Sequence, residues 1–269
     1  MIDFDAVVKI LNTALLVFTA RYFIWVVTDS VEVSGSVNCV YYGLLLLPCI
    51  FMTKKIIFKV GVVGLAMIGT LLSAKRTAFL ILLVALAVPL LFELFGRAKK
   101  KTLVTILIGI VVIILLYNHI SETYELTIFD RFETIEEDKG SGRFDIYEEV
   151  LSSFKNSRFV DRLLGHGFNA VSLRGASWTS AHNDFLEVLY DFGYVGVTVY
   201  IVFVIKLIVN AFRLYKYRSS MASTYTSALI MFLIMSLSSH LILYPTYIVF
   251  LLLFFVLGIS DLNRIKRGS

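Results

Sequence analysis

The chain has 269 residues, 58% of them hydrophobic and only 17% charged, with a formal net charge of +5. Soluble domains carry roughly 45–50% apolar and about 25% charged residues, so a soluble fold would have to pack several uncharged runs into one core. Nor does the positive balance point to nucleic acid, because the lysines and arginines cluster at the ends of apolar runs rather than in a stripe among polar surface residues.

In chain order, eight apolar spans are expected, at about 6–27, 37–53, 56–73, 77–95, 102–119, 185–208, 223–241 and 246–260. A run of about 20 apolar residues crosses the hydrocarbon core as a helix, because a helix satisfies its own backbone hydrogen bonds. Two stretches, Thr77–Phe92 and Thr102–Tyr117, carry no charge at all. The expected fold class is therefore an all-α integral membrane protein. Its divisions are helices over 1–119, an extracytoplasmic loop over 120–184, and helices with a cytoplasmic tail over 185–269. The first span follows Asp3 and Asp5 rather than a basic region, so no cleavable signal peptide is expected. Cys39 and Cys49 lie in one run, about 15 Å apart along a helix, too far for a disulfide.

Orientation follows from the basic residues. With both termini cytoplasmic, the inside receives Lys9, Lys54, Lys55, Lys59, Arg97, Lys99 to Lys101, Arg213, Lys216, Arg218, Arg264, Lys266 and Arg267. The short outer loops then receive only Lys75 and Arg76, as the positive-inside rule requires. The segment 120–184 falls outside and reads as folded protein. Ser141-Gly142 breaks it. Phe144, Tyr147, Val150, Leu151 and Phe154 then recur at helical spacing, which predicts an amphipathic helix against the membrane or the bundle. Leu164-Gly165-His166-Gly167-Phe168 predicts a tight turn.

Ionisable residues at or near membrane depth are the natural candidates for chemistry. Four sets stand out, all at the outer face: Ser73-Ala74-Lys75-Arg76; Ser141-Gly142-Arg143; Ser180-Ala181-His182-Asn183-Asp184 with Glu187; and His240 before Tyr244-Pro245. Each also has a structural reading: a snorkelling pair, a solvated helix start, an interfacial polar cluster and a turn marker, respectively. Arg21 and Glu93 lie close enough to span ends to snorkel and take no role.

In order and spacing these sets resemble the O-antigen polymerase/ligase family over roughly residues 55 to 260. The resemblance rests on five features: the serine turn ending in arginine (Ser73 to Arg76), Ser-Gly-Arg at a helix start (Ser141 to Arg143), Leu-Gly-x-Gly (Leu164 to Gly167), His-Asn-x-x-Leu-Glu (His182 to Glu187), and Asp191-Phe192-Gly193-Tyr194-Val195-Gly196 within the next span. Members usually have more spans, so some N-terminal ones are expected to be missing here. The resemblance implies an integral-membrane glycosyltransferase at the outer face of a bacterial cytoplasmic membrane, with an undecaprenyl-diphosphate-linked glycan as donor and a glycan as acceptor. It assigns Arg76, Arg143 and His182 as catalytic; Lys75, Asn183, Glu187 and His240, from the same outer-face sets, are the expected substrate contacts. The expectation includes no cofactor, no metal and no nucleic acid, with a chain-length regulator as a possible partner.

The residue types suit that chemistry on their own. A leaving diphosphate develops negative charge, and guanidinium groups match phosphate oxygens with a bidentate fork. A sugar hydroxyl needs a base near neutral pH, and histidine serves. The one Asp-x-Asp spacing, Asp3-Phe4-Asp5, falls on the cytoplasmic side in the expected topology, and none lies among the outer-face sets. Polymerase is the first reading and ligase the second. A flippase would call for broken or charged midplane helices and repeated halves, and a structural membrane subunit is the remaining alternative.

Overall fold

A computed structural model describes residues 39–53, 56–73, 75–97, 139, 142–177, 179–239 and 241–267, with scattered positions between 6 and 24. The span expected at 102–119, the loop residues 120–138, Ser141 and His240 lie outside the described residues. Those described are helical, with no strand among them. In order they form α1 (Cys39–Leu45), a 3-10 helix (Leu47–Phe51), α2 (Ile56–Ser73), α3 (Arg76–Arg97), α4 (Arg143–Asn156), α5 (Phe159–Leu164), α6 (Ala170–Leu173), α7 (Asp184–Lys216), α8 (Ala222–Ser238), a 3-10 turn (Leu241–Leu243) and α9 (Pro245–Lys266).

Two of these, α7 and α9, are long and apolar enough to cross a membrane; residues 40–51, 76–92 and 222–238 form shorter apolar helices. The expected span 56–73 coincides with α2. The run expected at 37–53 is two pieces instead, because Pro48 opens the 3-10 helix and has no N–H to continue an α-helix. Helix α8 is the hub of the bundle. It packs most extensively against α3 and also meets α7 and α9. Residues 222 to 229 of it are all buried, so it shows no polar face to any solvent.

A second, smaller core holds the loop together. Ile146, Val150 and Phe154 form one stripe of α4 and pack with Ala170 and Val171 of α6, Ala181 and Tyr190. The amphipathic helix predicted from Phe144 therefore forms, but its apolar face turns into this core rather than toward a membrane. Phe144 and Leu151 of the expected stripe are exposed.

Helix α7 positions everything that follows. Asn183 caps it, its side-chain oxygen accepting from Phe185 N at 3.0 Å and Leu186 N at 3.3 Å. Asp184 and Glu187 in the first turn, and Arg213 and Lys216 in the last, suit the helix dipole. Gly193 breaks the helical path with φ 65° and ψ −162°. That kink frees the carbonyls of Tyr190 and Asp191, which accept instead from His166 N at 3.1 Å and Gly167 N at 2.9 Å. Two glycines permit the approach. A Cβ on Gly193 would meet the Leu163 carbonyl carbon at 2.5 Å, and one on Gly165 would meet the Asp191 oxygen at 2.1 Å. The His166 ring stacks on Tyr190 at 4.2 Å, and its Nδ1 donates to the same Tyr190 carbonyl. The Leu-Gly-x-Gly and Phe-Gly-x-x-Gly motifs are thus two halves of one interlock.

Candidate functional site

The turn 181–183 carries the candidate base. His182 has φ 49°, a left-handed conformation that costs a histidine energy and persists only where neighbours enforce it. Three contacts hold the turn. Ala181 N donates to Glu187 Oε2 at 2.7 Å, the Tyr147 hydroxyl donates to the His182 carbonyl at 3.4 Å, and Asn183 Nδ2 donates to the Leu237 carbonyl at 3.3 Å. Tyr147 also lies 3.3 Å from that Leu237 carbonyl. Elements α4, α7 and α8 therefore converge on one turn.

Arg143 opens α4 and Arg76 opens α3, each half-buried. Lys75 sits in the short turn between α2 and α3, its Nζ 5.2 Å from the Tyr41 ring centroid. The structure brings Lys75, Arg143 and His182 within electrostatic reach of one another. Burial, and then the Arg143 charge, push Lys75 down to about 8. Burial first, then Arg143 and Lys75, hold His182 below the ordinary histidine value. Lowered in this way, the imidazole is neutral and able to take a proton near neutral pH.

The other predicted contacts have distinct settings. Asn183 uses both ends of its amide on the protein. Glu187 is fully buried, with Oε2 on Ala181 N and Oε1 without a hydrogen-bond partner. His240 lies outside the described residues, although the backbone just after it, at Ile242 N, donates to Asp184 at 3.1 Å.

Two carboxylates that the sequence places only within motifs have definite partners here. Asp184, fully buried, also accepts from Ser236 Oγ at 2.9 Å and the Tyr200 hydroxyl at 3.1 Å, tying α7 to α8. Asp191 accepts from Asn169 N at 2.6 Å and Ala170 N at 2.8 Å and so anchors α6. In sequence each shows only as a motif member at membrane depth, with no hint of its partners. Between α4 and α6 lies an open polar groove of about 610 Å³, lined by Glu149, Ser152, Ser153, Ser172 and Ser177. Ser177 Oγ donates to Glu149 Oε2 at 2.7 Å within it. Among the described residues no three histidine, cysteine or acidic side chains gather as a metal site would need.

A family model described as O-antigen ligase matches residues 56–201, more than half of the chain. The protein belongs to the O-antigen ligase family. No curated protein and no solved structure matches it. The match runs from α2 into α7, so it takes in Lys75, Arg76, Arg143, the Gly165–Gly193 interlock and His182, and stops short of α8. The family is a membrane-associated group of glycosyltransferase-like ligases and polymerases in polysaccharide biosynthesis, with lipid-linked glycans as substrates.

Proposed function

We propose that this O-antigen ligase family member is a polymerase of undecaprenyl-diphosphate-linked repeat units, working at the outer face of a bacterial cytoplasmic membrane. In this reading the chain crosses the bilayer eight times, with both termini in the cytoplasm and residues 120–184 outside. The observation that carries it is the convergence of Lys75, Arg143 and His182 from three elements far apart in sequence.

The reaction follows from those groups. An acceptor sugar hydroxyl attacks the anomeric carbon of the donor, and His182 takes its proton. The bond from that carbon to the diphosphate breaks, and the diphosphate leaves with the electron pair. Arg76 and Arg143, with Lys75, stabilise the charge it gains, and the guanidinium forks fit its oxygens. The cations do the work that a metal does in other diphosphate enzymes, so catalysis is metal-independent. The glycan extends from the Arg143 end of α4 toward the Glu149–Ser177 groove. Hydroxyls and a carboxylate there offer hydrogen bonds to sugar, while the negative charge discourages a diphosphate. A chain-length regulator would act on the same product.

The matching model's description favours a second reading, transfer of finished glycan to a lipid or protein acceptor by the same chemistry. One assay separates the two. Purified protein in vesicles receives lipid-linked repeat units alone, with a strong chelator present. A ladder of longer glycans is the expected result. Transfer only after a separate acceptor is added would replace the polymerase reading with the ligase one, and loss of activity on chelation would overturn metal independence.

A further inference from the structure

Helix α5 is built inside out for a water-facing loop. Its apolar residues are the exposed ones: Phe159 at 70%, Val160 at 60% and Leu164 at 60%, and no residue of the helix is buried. Asp161 and Arg162, on the opposite side, are the half-buried ones. The turn and helix that follow continue the pattern, with Phe168 at 60% and Leu173 at 75% exposed. A contiguous exposed apolar patch on a folded segment marks a surface that something apolar covers.

The position of α5 along α7 says what that is. Gly193 and Gly165 clamp residues 162–165 against residues 191–193 of a helix apolar enough to cross a membrane. Taking Lys206 or Arg213 as the inner edge and counting back about 30 Å, the hydrocarbon thickness, at about 1.5 Å per residue ends near residues 186 or 193. Counted from Arg213, α5 lies level with the outer edge of the acyl region; counted from Lys206, it lies about 10 Å inside that edge. Phe192, Val195 and Val199, at and just beyond the clamped stretch of α7, are exposed as well. Exposed Arg158 and Arg174 flank the patch, where long basic side chains reach headgroup phosphates.

We infer that α5 and the turn after it are seated in the outer leaflet of the bilayer, Phe159, Val160 and Leu164 among the acyl chains and the arginines at the headgroups. The inference rests on the proposed topology for α7 as a span and for the choice of leaflet.

The test uses the full chain with both native cysteines replaced by alanine, and an environment-sensitive fluorophore on Val160→Cys, Leu164→Cys or, on the exposed side of α4, Glu148→Cys. Each is reconstituted in phosphatidylethanolamine–phosphatidylglycerol vesicles. Nitroxide-labelled lipid in both leaflets should quench positions 160 and 164 several-fold more than 148, and aqueous iodide should do the reverse. Lipid nitroxide reports immersion whichever way the chain is inserted, so a wrong topology and a wrong inference give different results. Equal iodide quenching at all three positions overturns the inference. Shielding from both reagents at 160 and 164 overturns it too, since a protein partner or second copy would then cover the face. If the cysteine-free background misfolds, quenching of Phe168→Trp by brominated lipid, read against the unsubstituted protein, gives the same decision.

Discussion

At one end of the helical bundle Asp261 is buried and accepts from Ser219 Oγ and from an Arg264 guanidinium nitrogen, both at 2.5 Å. At the other end Asp184 and Glu187 are equally buried but take their hydrogen bonds from backbone N–H groups and hydroxyls. The first arrangement consumes its cation internally and ties α9 to the α7–α8 connection. The second leaves the positive charge of Lys75 and Arg143 uncancelled, and after burial that charge pushes Lys75 and His182 down. Clustered like charge opposes folding, so it marks the end where an anion has something to gain by binding. A carboxylate's partner, more than its burial, separates the structural end from the chemical one.

The sharpest way to break that comparison is His182. His182→Ala and His182→Gln should each cost on the order of 10²–10⁴ in the rate of glycan transfer, with insertion in the membrane unchanged. Near-normal transfer by the glutamine variant would reduce the histidine to a hydrogen-bonding residue.

Next come the arginines, compared across the two ends. Arg143→Lys and Arg76→Lys keep the charge but lose the fork, so transfer should fall on the order of 10²-fold. Arg264, half-exposed and paired to Asp261, should tolerate lysine with little change in activity. Equal effects at both ends, read as glycan chain-length distribution, would erase the distinction.

The smallest effect concerns pH. His182 must be neutral to accept a proton, and burial first, then neighbouring positive charge, lowers its pKa, so the acid limb of the rate profile should lie below that of an ordinary histidine. Removing one neighbour, as in Lys75→Met, should raise His182 and move that limb upward by a fraction of a pH unit. The charge on Lys75 itself is lost as pH rises through about 8, so the unsubstituted protein should bind donor more weakly above that value. A Lys75→Met profile with an unmoved acid limb would mean that Lys75 and His182 do not sense each other.

The boundaries of α2 were legible because an apolar run, with Lys59 in its first turn as its single charge, sits between Lys54-Lys55 and Lys75-Arg76, and charge does not enter hydrocarbon cheaply. His182 and Arg143 were legible through ordered motifs. Tyr147 was not: in sequence it is one more member of an apolar stripe, and its partners lie 35 and 90 residues away. Asp184 was legible as a member of the His182 set, but its acceptor role was not, being fixed by α8 and the turn after it. The face of α5 was hidden differently. Phe159-Val160 and Leu163-Leu164 give the spacing of any amphipathic turn, and spacing does not tell which side faces in.

The kink at Gly193 also bears on how the chain is made. A helix entering the bilayer with two carbonyls lacking donors carries a penalty of several kcal/mol for each. The donors for Tyr190 and Asp191 are His166 and Gly167, which leave the ribosome before α7 does. In the proposed topology they have already been translocated when α7 begins to insert, and they can dock as it emerges. Synthesis order thus supplies the missing half of the helix in advance, and the loop serves as an assembly factor for the span that follows it.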